Sequence, residues 1–121
     1  KRLFQIAHQY GRKVLFISDG NYLAFLDDLL IAEPDGFYIE SSSMDPREFM
    51  LRAGRDKLFL VKTSNQNIDV GTPDQVRAEL ARLAELHRDY PGMMMYRGGG
   101  EPLPGNAEAF ARYYQELLVY S

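Results

Sequence analysis

Short apolar runs alternate along this chain with stretches whose apolar residues recur every three or four positions. The first kind predicts strands and the second predicts amphipathic helices. Leu3, Phe4, Ala7 and Tyr10 share one helical face over residues 1–11, and Gly11 reads as its stop. Val14-Leu15-Phe16-Ile17 is apolar throughout, the pattern of a parallel strand covered on both faces. After the turn Ser18-Asp19-Gly20-Asn21 comes a helix with Leu23, Leu26, Leu29 and Leu30 facing inward. A second strand follows at Phe37-Tyr38-Ile39-Glu40. Asp45-Pro46-Arg47-Glu48 opens the next helix, with Asp45 as cap and Pro46 at the first helical position, and Gly54 closes it. Leu58-Phe59-Leu60-Val61 is the third strand, and Thr63 to Val70 reads as a polar loop. Thr72-Pro73-Asp74-Gln75 starts a helix whose inner face is Val76, Leu80, Leu83 and His87, ending at Pro91-Gly92. Met93-Met94-Met95-Tyr96 is the fourth strand and reads as buried core. The last helix begins near Asn106 and turns Phe110, Tyr113, Leu117 and Leu118 inward.

The order is therefore α-β-α-β-α-β-α-β-α, an α/β fold of four βα units in a single region, residues 1–121. The spacing of the strands suits right-handed crossovers between parallel neighbours. Two architectures satisfy it. One is a small open sheet with helices on both faces. The other is half of an eight-stranded barrel, which normally needs ~250 residues.

Composition removes several functions. A net charge of −3, with the 14 basic residues scattered, offers no electrostatic footprint for nucleic acid. No apolar run approaches the ~20 residues that span a bilayer, so no membrane association is expected. There is no cysteine, which removes disulfides, thiolate metal sites and a cysteine nucleophile, and suits a reducing, cytoplasmic compartment. The chain opens inside a helix, so a preceding segment is expected.

Ligands of parallel α/β folds gather at the carboxyl ends of the strands. Here those ends carry Ser18, Asp19, Asn21, Glu40, Ser41, Lys62, Asn65, Arg97 and Glu101. Together they can orient a charged substrate and move protons. Gly98-Gly99-Gly100 beside Arg97 would let backbone amides approach an anion. Each residue also has a plainer role. Asp19 and Asn21 can shape a turn, Lys62 can reach out of the core, and Glu101 can pair with Arg97 at the surface. His8 and His87 sit on helices, far in sequence from these ends, and read as packing or surface residues.

Three motifs occur in a fixed order. Asp19-Gly20-Asn21 ends a strand, Gly71-Thr72-Pro73-Asp74-Gln75-Val76 opens a helix, and Gly98-Gly99-Gly100-Glu101-Pro102-Leu103-Pro104-Gly105-Asn106 follows a strand. In this the chain resembles the C-terminal half of the uroporphyrinogen decarboxylase family, whose members are (β/α)8 barrels. The resemblance implies strands five to eight of such a barrel. It implies an enzyme acting on a tetrapyrrole by decarboxylation without a cofactor, or on a corrinoid-linked methyl group by methyl transfer. The substrate-binding residues it points to are Asp19, Asn21, Glu40, Lys62, Arg97, Gly98, Gly99, Gly100 and Glu101. Where the zinc methyltransferases of the family carry a His-x-Cys pair, this chain has Ile17 and Asp19. The last turn, which holds Cys or His in the family, has Gly99. No metal and no cofactor are therefore expected.

Two further readings stand beside an enzyme fragment that is inactive alone. One is a small-ligand-binding domain of the same ancestry without catalysis. The other is an autonomous α/β domain. Half a barrel would expose strand edges and apolar surface. Its partner would be another copy of itself in a homo-oligomer, or the N-terminal half of the barrel.

Overall fold

The computed structural model describes residues 1–119. The chain runs α1 (Arg2–Gln9), β1 (Leu15–Phe16), α2 (Leu26–Ile31), β2 (Gly36–Glu40), α3 (Pro46–Ala53), β3 (Leu58–Lys62), α4 (Asn65–Ile68), α5 (Pro73–Asp89), β4 (Met93–Tyr96) and α6 (Pro104–Tyr114). A 3₁₀ turn, Leu23–Phe25, leads into α2, and a π-helical turn, Gln115–Val119, extends α6. The strands form one sheet in the order β1-β2-β3-β4, every pair parallel.

Local chemistry explains where the helices begin. Asp45 accepts a hydrogen bond from the Arg47 amide, and Pro46 supplies a first helical residue with no amide to satisfy. At α5, Thr72 and Gln75 form a reciprocal capping box, again followed by proline. The stretch expected to be only a polar loop after β3 contains the one-turn helix α4. The Ser64 hydroxyl caps it by accepting from the Asn67 amide.

Side chains alternate across each strand. Phe37, Ile39, Phe59, Val61 and Met93 point to one face. There they pack with Tyr22, Leu26, Phe49, Met50, Leu83, Leu86 and Tyr90. A chain of edge-to-face ring contacts, Phe37–Phe49, Phe49–Phe59 and Phe59–Tyr90, threads this core. A second cluster, with Ile68, Val76, Leu80 and Ala109 at its centre, seats Phe110, Tyr113, Leu117 and Leu118 against α5 as expected.

All three crossovers thus lay their helices on the same face, and strand order never reverses. That is the winding of a barrel. An open sheet with helices on both faces is not formed. The opposite face carries Leu15, Tyr38, Leu60 and Met94, and among the described residues no helix covers it.

Two expectations fail for this reason. β1 is not covered on both faces: Leu15 and Phe16 are half-buried and Ile17 is exposed. Only Met93 of the methionine run is fully core. Met94 lies on the uncovered face and is 55% exposed. His87 also leaves the inner face of α5, and Leu86 takes that place.

At the amino ends of the strands Asp35 ties α1 to the sheet. Its carboxylate accepts from the Val14 amide (2.7 Å), His8 Nε2 (2.8 Å) and Lys13 Nζ (3.0 Å). The Val14 amide first, then His8 and Lys13, hold it well below the usual carboxylate range. A depressed folded-state pKa contributes stability above the unfolded value, about 3.9, and loses it as pH falls through the folded value. Asp35→Asn is therefore expected to cost about 1–3 kcal/mol near neutrality. The gap between the two proteins should close as urea melts are repeated from about pH 5 towards about pH 2. A gap that stays constant through that range would refute the clamp.

Candidate functional site

The register of the sheet assembles one polar row. Glu40 pairs with Lys62, and Lys62 with Tyr96, at the carboxyl ends of β2, β3 and β4. All three alternate with core residues and so stand on the uncovered face. Lys62 Nζ donates to Glu40 Oε1 at 3.0 Å, and both side chains are more than four-fifths buried. The Gly20 amide donates to Glu40 Oε2 at 3.1 Å, and the Ser43 hydroxyl reaches the same oxygen at 3.3 Å. The turn after β1 is thereby pinned to the end of β2. Asp19, in that turn, lies within range of the Lys62 charge.

These contacts set the protonation states. The Gly20 amide, and then Lys62, pull the Glu40 carboxyl below its ordinary value. Glu40 in turn raises the Lys62 ammonium above its own. At neutral pH Glu40 is a carboxylate and Lys62 a cation. Lys62 is thus suited to hold an anion and not to act as a neutral nucleophile or base.

Beneath this row lies Tyr38, whose ring meets that of Tyr96 edge-on at 6.2 Å. Burial pushes its phenol up. The Tyr22 hydroxyl donates to the Tyr38 carbonyl from the opposite face and so satisfies β2 where β1 has already ended. The row and the aromatic pair form a floor with an apolar base and a charged rim.

A second group adjoins the first. Arg97 Nη2 donates to Asp69 Oδ1 (2.9 Å) and to the Gly100 carbonyl (2.7 Å). The partner of Arg97 is therefore Asp69 and not Glu101, which is exposed. Asn106, buried, ties the same segment down from α6 through the carbonyls of Asp69 and Gly71. Gly99 adopts φ +140°, and a Cβ there would lie 2.5 Å from the Asp69 carboxylate and 2.8 Å from the Asn65 amide. A Cβ on Gly98 would strike the Tyr96 ring at 2.8 Å. These glycines let the loop lie flat against Tyr96, Asn65 and Asp69. An imidazole or a thiolate has no room at Gly99.

Of the residues expected at the site, Asp19, Glu40 and Lys62 come together. Arg97 and Gly98–Gly100 form the adjoining wall. Asn21 does not join them: its Oδ1 accepts from the Leu23 amide and shapes the turn. Among the described residues no three His, Asp or Glu side chains are grouped to hold a metal ion, and no helix is long and apolar enough to cross a membrane.

The sequence reading missed four contributors. Tyr38 and Tyr96 could have been found from period-two alternation, since each shares the face of Glu40 or Lys62. Asp69 and Glu79 had no local signal. Glu79, only 4% exposed on α5, accepts from the Ser64 amide (2.9 Å) and Arg82 (3.0 Å). It also meets the Ser41 hydroxyl at 3.4 Å. One carboxylate thus fastens the loops that follow β2 and β3.

No family model, no curated protein and no solved structure matches the chain. Its likeness to a known family rests on the three motifs alone, and the site must be judged by its geometry.

That geometry separates two neighbouring glycines. Gly99→Ala is expected to cost about 1–3 kcal/mol, because φ is positive and the methyl meets Asp69 and Asn65. Gly100 has open space around its Cβ position, so Gly100→Ala should stay within about 0.5 kcal/mol of the parent. Thermal melts of the two variants make the comparison. Equal effects would show that the loop does not rest on Asp69.

Proposed function

We propose that this chain is the ligand-bearing second half of a uroporphyrinogen decarboxylase-like barrel. Its rim receives a small carboxylated molecule of the tetrapyrrole class. The observation that carries the proposal is the row Glu40–Lys62–Tyr96 on the uncovered face of a sheet wound in barrel order. In a closed barrel that face is the interior, and the carboxyl ends of its strands are where substrates sit. Lys62 supplies a fixed cation for a peripheral carboxylate. Tyr96, 45% exposed and backed by the buried Tyr38, supplies apolar ring surface for a macrocycle, and Glu40 and Asp19 keep the cation in place. The motif order from Asp19 through Asn106 supports the same ancestry.

A second reading has its own support. The family's last-turn imidazole or thiolate has no room at Gly99. This favours binding without the family's reactions, by a small-ligand domain of the same descent. Both readings expect the 121-residue chain alone to turn over nothing.

Binding is tested with coproporphyrin, followed by quenching of its fluorescence. Lys62→Ala should weaken binding by about tenfold or more, the worth of a hydrogen bond to a charged group. Glu108→Ala, on an exposed residue of α6 outside the rim, should leave it unchanged. Absence of binding, or equal binding by the Lys62 variant, would reject the rim assignment. Release of carbon dioxide from uroporphyrinogen by the complete encoded product would decide for the enzyme. Tight binding by that product without release would decide for the binding domain.

A further inference from the structure

Three of the five methionines stand in succession on β4, the last strand of the sheet order. The other two, Met44 and Met50, are closed into the main core. Met93, Met94 and Met95 line a cavity of about 250 Å³, together with His87 from α5, Tyr114 from α6 and Leu118 beyond it. The Tyr114 ring stacks on Phe110, which fixes that wall. No carboxylate, ammonium or guanidinium lines the cavity. Its side-chain donors are thioethers, one imidazole and one phenol.

The imidazole has a defined tautomer. His87 Nδ1 lies 3.2 Å from the Met93 carbonyl, which can only accept, so Nδ1 carries the proton. In the neutral ring the lone pair then resides on Nε2, which makes no hydrogen bond among the described residues. One ring nitrogen tied to a backbone carbonyl, with the other left bare, is how proteins prepare a histidine for a metal. The chain's other imidazole, His8, is engaged by Asp35.

The donor set selects the cation. Calcium and magnesium are held mainly by carboxylate and other oxygen ligands, and no carboxylate is present. Zinc sites are built from several thiolates, imidazoles or carboxylates, and one imidazole does not make such a site. Uncharged donors also suit a single charge, which costs far less to take out of water than a double one. Thioether and imidazole together suit copper in its soft, monovalent state. The chain has no cysteine, so no thiolate of its own competes. We propose that this cavity binds Cu(I) through Nε2 of His87 and the thioethers of Met93 and Met95. Both methionines alternate onto the helix-covered side of β4, where α5 carries His87. Met94 lies on the other side, 55% exposed, at the mouth of the cavity. The charged rim stands on the opposite face of the sheet, so this site does not depend on the reading of the rim.

Methionine is also a common filler of apolar gaps. Leucine separates the two roles, because it fills the volume of methionine without offering a donor. Cu(I), supplied as its acetonitrile complex without oxygen, is titrated into the 121-residue chain and followed by calorimetry. One cation should bind per chain. His87→Ala and Met95→Leu should each weaken binding by about tenfold or more, and His8→Ala should leave it unchanged. Zn(II) should bind far more weakly. A second measurement needs no variant. Ag(I), a redox-inert substitute, should shift the methyl resonances of Met93 and Met95 and leave those of Met44 and Met50 in place. The proposal is overturned if Cu(I) does not bind, or if the His87 and Met95 variants bind as the parent does. Zn(II) binding as tight as Cu(I), or Ag(I) shifts that spare Met93 and Met95, would overturn it equally.

Discussion

One constraint organises this molecule: all three crossovers carry their helices to the same side of a parallel sheet. The helices bury Phe37, Ile39, Phe59, Val61 and Met93 behind a continuous set of ring contacts. That burial stabilises the sheet and its helices. Among the described residues no helix lies on the other face of the sheet. Tyr38, Leu60 and Met94 line up across that face, with Glu40, Lys62 and Tyr96 above them. The same winding that makes the core thus makes the site.

The charged row shows how the site stays ordered at the end of a thin sheet. Lys62 and Glu40 neutralise one another in a largely buried pair. Such a pair contributes little net stability, because desolvation offsets much of the attraction. Its value lies in position. The Gly20 amide ties the β1 turn to Glu40, the Ser41 hydroxyl donates to the Lys62 carbonyl at 2.7 Å, and Glu79 holds the next loop from below. Arg97 and Asp69 repeat the arrangement one strand further on. Both of these cations have an acid beside them, so the rim presents paired donors and not a bare positive patch.

Much of this was legible in the sequence, for local reasons. Asp45-Pro46 and Thr72-Pro73 announce helix starts because the capping oxygen and the missing amide act within one turn. Four βα units and parallel pairing followed from spacing. What the pattern could not settle was which faces are covered. An apolar run such as Val14 to Ile17 or Met93 to Met95 looks the same whether layers lie on both of its faces or on one. The partner of Arg97 was misread for a related reason: Glu101 is near in sequence, but Asp69 is brought in by the fold. The three glycines looked like a ligand cradle, whereas Gly98 and Gly99 are demanded by Tyr96, Asn65 and Asp69.

The idea that the open face is the inside of a closed barrel is tested most directly by amide hydrogen exchange on the complete encoded product. Amides of β1 and β4 should then exchange as slowly as those of β2 and β3, because strands on both sides protect them and only global unfolding opens them. Fast exchange confined to β1 and β4 would mean that these strands remain edges, and the barrel reading would fail.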